Sequence, residues 1–268
     1  MRSIAIIAGG VFRDSIRDRI AYSLVFFAVL LMAASFLLAQ LTAGQDVKII
    51  KDLGLAASSA IGIFIAIFFG IGLVTKEVER RSIYSLLSKP VTRAQFILGK
   101  YVGLVLTLLA NLAFMALAFY GVLAYLDWTT PAGAKLAWEA PALDPRMLKA
   151  FVLIGVELMV ITATALFFST FSSPVLSVAL TFGVYIIGHF SEDLKNFGTI
   201  VHNLVLPYIA KGLYYVMPNL TPLDVKAQVV HGLPVTGLHM AMAAGSSALY
   251  IGVLILASSI VFSRRDLK

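Results

Sequence analysis

GLVTKEVERRSIYSLLSKPVTRAQFILGKYVG, Gly72 to Gly103, carries six basic and two acidic side chains between long apolar segments. Charge at that density does not sit in lipid. Its apolar residues nevertheless recur at helical spacing, Val74 with Val78 and Ile83 with Leu86 and Leu87. Glu77, Glu79, Arg80 and Arg81 form the polar part between them. Pro90 lacks an N–H and holds Lys89 toward extended backbone, so a helix ends there. Thr92 and Gln95 make a T-x-x-Q capping box that opens the next helix at Arg93. Two helices meeting at a corner, with exposed charge and a small apolar ridge, suit protein docking. A surface helix with no partner has the same pattern, and these physical grounds leave both open.

Outside this stretch the chain is built for a bilayer. Of its 268 residues 60% are hydrophobic and 13% charged, and the mean hydropathy is +0.93. Soluble domains have about a quarter charged residues. A membrane-crossing helix needs about 20 residues. The expected fold is an all-α integral membrane protein, one transmembrane domain over 1–268 with six spans: 21–41, 53–75, 96–126, 148–170, 175–190 and 240–262. The fifth is short, and FFSTFSSP before it fits the headgroup zone. The fourth and fifth are joined by a tight link, Phe171 to Pro174, without charge.

Charge sets the direction. The amino-terminal stretch nets +2, the segment between spans 2 and 3 nets +4, and the tail nets +2, whereas the three loops on the other side each net zero. Lys and Arg number 13 on the first side and 8 on the second, so both termini are expected to be cytoplasmic. The overall +7 is therefore a topology signal rather than a nucleic-acid footprint. The chain has no cysteine, which excludes disulfides and thiolate chemistry. It has no G-x-x-x-x-G-K-[ST], so no P-loop holds ATP here. The charged region before span 1 runs to Arg19 and the apolar segment after it exceeds a signal-peptide core, so a retained anchor is expected.

Residues 4–20 read as an amphipathic interfacial helix, with Phe12, Ile16 and Ile20 on one face and Arg13, Asp14, Arg17 and Asp18 on the other. A plain basic flank is the simpler reading of the same residues. Residues 76–92 form the docking region. Residues 191–239 are expected to be short extracytoplasmic helices at the outer leaflet. There Tyr208, Tyr214 and Tyr215 suit the headgroup zone, and a helix that begins near Thr221 stops near Gly232. Asp127 to Arg146 shows no recognisable site; Trp128 and Trp138 are expected at the interface.

Within the spans Glu157 is the single acid. A carboxyl there must face protein or water. Tyr185 and His189 lie at comparable or shallower depth on span 5 and complete a candidate intramembrane polar site. It serves either passage of a substrate or proton, or a structural hydrogen bond between spans 4 and 5. Small residues recur at four-residue spacing on span 2 (Ser58, Gly62, Ala66, Gly70), span 3 (Gly99, Gly103) and span 6 (Ala241, Gly245; Ala248, Gly252). Such stripes let backbones approach, within a chain or between copies. His189, His202, His231 and His239 include no i, i+4 pair, so no metal site is expected. Glu157 alone is too little for a membrane-embedded enzyme.

With the topology in place, the charged stretch resembles the corresponding segment of bacterial ABC-2 type transporter permeases. The matching residues are Glu79 with Arg80 and Arg81, Leu86 with Leu87, Lys89-Pro90-Val91-Thr92-Arg93, Leu98-Gly99-Lys100, and the terminal FSRRDL from Phe262. The chain is most similar to the subgroup associated with multicopper-enzyme maturation, such as the nitrous-oxide-reductase accessory permease. The resemblance implies a type V exporter-like fold with six spans, an interfacial amino-terminal helix and a coupling helix between spans 2 and 3. It implies a multi-pass protein of the bacterial cytoplasmic (inner) membrane that is not itself an enzyme and holds no cofactor. Two permease copies, as a homodimer or heterodimer, would pair with two cytoplasmic ABC ATPase subunits that hold ATP and Mg²⁺. Glu77, Glu79, Arg80, Arg81, Ile83, Leu86 and Leu87 would dock on the ATPase, with Lys89, Pro90, Thr92 and Arg93 as the coupling corner. The expected function is ATP-driven export or movement of a substrate. The alternative is an ATPase-driven scaffold that helps assemble a periplasmic or membrane protein. Membrane lipids, and a periplasmic or membrane protein, complete the expected partners.

Overall fold

The computed structural model describes residues 2–16, 19–39, 46–79, 92–136, 138–200 and 206–264. Among these, every regular element is helical. In chain order they are α1 (Arg2–Ile16), α2 (Arg19–Ala39), α3 (Asp46–Glu79), α4 (Arg93–Thr129), α5 (Met147–Ser169), α6 (Pro174–His189), α7 (Ser191–Ile200), α8 (Leu206–Val216), α9 (Lys226–Val230) and α10 (Gly237–Arg264). Single turns at Ala132–Lys135 and Thr221–Leu223 complete the set.

Four of these carry stretches long and apolar enough to cross a membrane: Val47–Gly72, Arg93–Thr129, Met147–Ser169 and Gly237–Ser263. The apolar stretches Leu24–Ala34 and Pro174–His189 are shorter. Against the six spans expected from the sequence, four of full apolar length are found among the described residues, and α2 runs as a helix for 21 residues. The shortfall at α6 is geometric. Its 16 residues reach about 24 Å at ~1.5 Å per residue, under the ~30 Å of a hydrocarbon core.

The interior belongs to α3 and α5. Ser58, Gly62, Ala66 and Gly70, the stripe read on span 2, are all buried. A Cβ on Gly62 would stand 2.9 Å from Leu158 Cδ1, and one on Gly70 would stand 2.9 Å from Ala165 Cβ, so this stripe is where α3 meets α5. The stripe on α10 has no such neighbour: nothing lies within 4 Å of a Cβ on Gly245 or Gly252. Leu249, Val253 and Leu256 beside it are exposed. Polar side chains inside the helices bond their own backbone. Ser58, Thr107, Thr162, Thr164, Thr181 and Ser258 each donate a hydroxyl to the carbonyl four residues earlier. An apolar solvent demands that kind of internal satisfaction.

The end of the bundle opposite the chain termini is closed by two segments. Residues 138–146 pack there with the stretch from Pro218 to Val235; Leu220, Leu223, Val225, Val229 and Val230 are buried against the helices. Gly232, at φ +69°, follows α9 and turns the chain back, a conformation glycine adopts without steric cost. Cations fasten the cap to the bundle. Lys51 Nζ donates to Pro141 O at 2.7 Å and Lys149 Nζ to Val235 O at 2.7 Å. Arg146 Nη1 donates to Gly232 O. The loop in which the sequence shows no site is therefore half of a built cap. Trp138 packs against its core, whereas Trp128 is exposed.

Candidate functional site

At the end holding the termini, α4 opens as the sequence predicts. Thr92 has extended backbone (φ −74°, ψ 151°). Gln95 N donates to Thr92 Oγ1 at 3.3 Å, and Thr92 N donates to Gln95 Oε1 at 3.2 Å. Both halves of the box are present, satisfying amides that a helix start leaves unpaired.

Arg93 does more than flank this cap. Its Nη1 donates to Phe262 O at 2.9 Å and Ser263 O at 3.1 Å, across 169 and 170 residues of chain. Those carbonyls lie in the last turn of α10. A cation is unfavourable at the first position of a helix and favourable at the last turn of another, so the guanidinium sits where the α10 dipole wants it. One turn on, the Phe96 and Phe262 rings stack with centroids 5.9 Å apart, and Lys100 Nζ lies 4.8 Å from the Phe96 ring. Lys100 is buried.

The helix α1 crosses α4 at the same place. A Cβ on Gly103 would stand 2.7 Å from both Ala8 O and Val11 Cβ; one on Gly99 would stand 2.9 Å from Ile7 Cβ and 3.3 Å from Ile4 O. The packed face of α1 therefore carries Ile4, Ile7, Ala8 and Val11. The ridge read from the sequence began at Phe12, which is only half-buried. The two glycines decide this, because they admit the α1 backbone itself.

Of the candidate docking residues, Glu77 and Glu79 fall on the last turns of α3, which continues unbroken to Glu79. Arg80, Arg81, Ile83, Leu86, Leu87, Lys89 and Pro90 lie outside the described residues. Arg93 is brought together with α10, a contact the sequence reading lacks.

The capped end brings the other three candidates together. Glu157 on α5 is fully buried, and His189 on α6 places Nε2 at 3.4 Å from its Oε1. The rings of Tyr185 and His189 lie 4.6 Å apart. Neither carboxyl oxygen makes a hydrogen bond to a described residue. His189 Nδ1 lies 3.2 Å from Tyr185 O. A carbonyl only accepts, so that nitrogen carries a proton and the neutral ring presents bare Nε2 to Glu157. Bare nitrogen facing carboxylate is repulsive; one proton between Glu157 and His189 removes the conflict.

The cap covers this pair. Thr221 Oγ1 donates to His189 O at 3.1 Å and Leu220 N donates to Gly188 O at 3.0 Å. These are last-turn carbonyls of α6, which have no acceptor role inside the helix. Gly188 permits the approach, since a Cβ there would stand 2.8 Å from Pro218 O. Asp224 and Lys226, paired at 3.1 Å, are close enough to act electrostatically on Glu157. Between α4 and α5 lies an apolar groove of about 690 Å³, lined by Leu112, Ala116, Phe151, Gly155 and Met159 among others. It offers packing rather than polar chemistry.

A family model described as ABC-2 family transporter protein matches residues 5–267. No curated protein matches the chain.

Proposed function

The chain belongs to the ABC-2 family of transporter proteins, and on that premise we propose that it is the permease subunit driven by a separate ABC ATPase. The family match supports a non-catalytic, multi-pass membrane subunit with an ATPase partner in general. The four long spans, α2 and the shorter α6 make six crossings. The short α6 is tolerated because the cap supplies donors to its last carbonyls. The basic end, with both termini, faces the cytoplasm of a bacterial inner membrane, and the capped end faces outward.

In this arrangement Glu77 to Leu87 dock on the ATPase, and Lys89 to Arg93 turn the chain into α4. ATP and Mg²⁺ are held by the partner. Two permease copies, as a homodimer, pair with two ATPase copies, and nucleotide-driven movement at the docking element shifts the spans to move a substrate. The observation that carries this reading is the rigid start of α4, where the Thr92 box and the Arg93 bonds fix the residues that follow the docking element.

A second reading, an ATPase-driven scaffold for maturation of a periplasmic or membrane protein, is favoured by one feature. On the capped end α8 leaves Tyr208, Ile209, Tyr215 and Val216 exposed, an apolar face that a protein or the outer leaflet covers. This reading fits the resemblance to maturation permeases.

Isolation of the protein from its native membranes tests the permease proposal. An ABC ATPase is expected in stoichiometric amount. Recovery with no ATPase under mild detergent contradicts it.

A further inference from the structure

Three pieces of sequence that lie far apart meet at the terminal end: the start of α4, the end of α10 and the middle of α1. The joints differ in kind. Arg93 bonds two α10 carbonyls through one nitrogen. Phe96 stacks on Phe262 with planes 17° apart. Gly99 and Gly103 receive the α1 backbone at van der Waals contact. Ile97, Leu166 and Phe262 are buried at this knot, with Ile7 and Ile255 packed against them. Packed interfaces of this type shift as units rather than deform continuously.

From this geometry we propose that Arg93 is a strut: it locks the inner end of α10 to the start of α4, so that α1, α4 and α10 move as one body when the docking element moves. The proposal rests on the reading of Glu77 to Arg93 as the element an ATPase drives. It adds which helices follow. Arg93 is one residue past the capping threonine and belongs by sequence to the coupling corner. Its partners belong to the last helix. A displacement delivered at the corner therefore has a direct route to α10 through two hydrogen bonds and one stacked ring pair, beside the packing that Leu166 of α5 gives to the same knot. Arg93 is a positioning residue on this account. It touches no substrate.

Arginine suits the role because Nη1 carries two N–H groups, one for each carbonyl, on a planar guanidinium that stays charged. The acceptors are backbone atoms in the last turn of α10, so the bond holds the helix itself and survives changes of α10 side chains.

The test uses the full-length protein in lipid nanodiscs, purified with whatever ATPase accompanies it. The chain has no cysteine, so spin labels can be placed at will. One pair spans the strut, at Ala94 and Ile260. A second pair, Ile260 and Val152, reports movement of α10 against the interior. All three positions are exposed. In the resting protein the Ala94–Ile260 distance distribution is expected to be narrow. Arg93→Met is expected to lose that narrow distribution, and Arg93→Lys to recover part of it, with each variant still eluting as a monodisperse species. A broad distribution in the unsubstituted protein, or an unchanged narrow one in Arg93→Met, overturns the strut. On nucleotide addition to the complex, the Ile260–Val152 distance is expected to shift in the unsubstituted protein and to lose that shift in Arg93→Met while the ATPase stays bound. An equal shift in both proteins also overturns it. Absence of any bound ATPase counts against the permease reading, and the resting distributions still decide the strut.

Discussion

Replacing Gly103 by valine will lift α1 off the bundle. The new Cβ would stand 2.7 Å from the Ala8 carbonyl oxygen and 2.7 Å from Val11 Cβ. Neither atom lies at the end of a flexible side chain, so relief requires movement of α1 as a body. Overpacking in a well-packed core costs roughly 1–3 kcal/mol. Removing a helical glycine returns only about 1 kcal/mol, and valine recovers less of that than alanine. The net favours detachment. The measurement is maleimide labelling of a single cysteine at Val11, a buried position in a chain with no other cysteine. Label should enter slowly in the parent and rapidly in Gly103→Val. Gly245→Val, with nothing within 4 Å of its Cβ, should leave the rate unchanged. Slow labelling in Gly103→Val would mean that α1 is not held by this contact.

Glu157→Lys will prevent recovery of folded protein, whereas Glu157→Gln will change stability little. The carboxyl is fully buried and faces His189 Nε2 at 3.4 Å. A glutamine amide is nearly isosteric and can donate an N–H to that nitrogen, doing the work of the single proton between the pair. Its net cost should stay within about 1 kcal/mol. Lysine removes the carboxyl and leaves a buried ammonium beside an imidazole that already spends Nδ1 on Tyr185 O. An uncompensated buried charge of this kind costs about 3–5 kcal/mol. The yield of monodisperse protein in detergent, and thermal unfolding of whatever is recovered, separate the cases. A Gln variant as unstable as the Lys variant would show that the acid itself is required for the fold. A Gln variant that folds normally but no longer supports activity of the complex would place Glu157 in the working cycle.

How much of this was legible in the sequence depends on the range of each interaction. The Thr92–Gln95 box is an i, i+3 signal between two side-chain types with one common use, and it is found as read. Gly99 and Gly103 announce a close approach but not its partner, which is α1. The preference of α1 for its Ile4–Ala8–Val11 face over the Phe12 ridge follows from those distant glycines, so α1 alone does not reveal it. The contact between Arg93 and α10 uses backbone carbonyls, and backbone has no letter in the sequence. Its one hint is a cation at a helix N-terminus, where the dipole disfavours it. The cap is hidden for the same reason, since Lys51, Arg146 and Lys149 all bond carbonyls. Depth in the membrane alone groups Glu157, Tyr185 and His189 in the sequence, and the structure adds the 3.4 Å approach and the cover of Thr221.

The stretch from Glu77 to Leu87 is proposed as the seat of an ATPase. Charge reversal of Glu79 and Arg80 together, as Glu79→Arg with Arg80→Glu, tests it most directly. Membranes expressing the parent should yield the permease with its ATPase. Membranes expressing the double variant should yield permease in the same amount, with a cysteine placed at position 11 equally protected and the ATPase lost. An ATPase that remains bound to the charge-reversed protein would contradict the account.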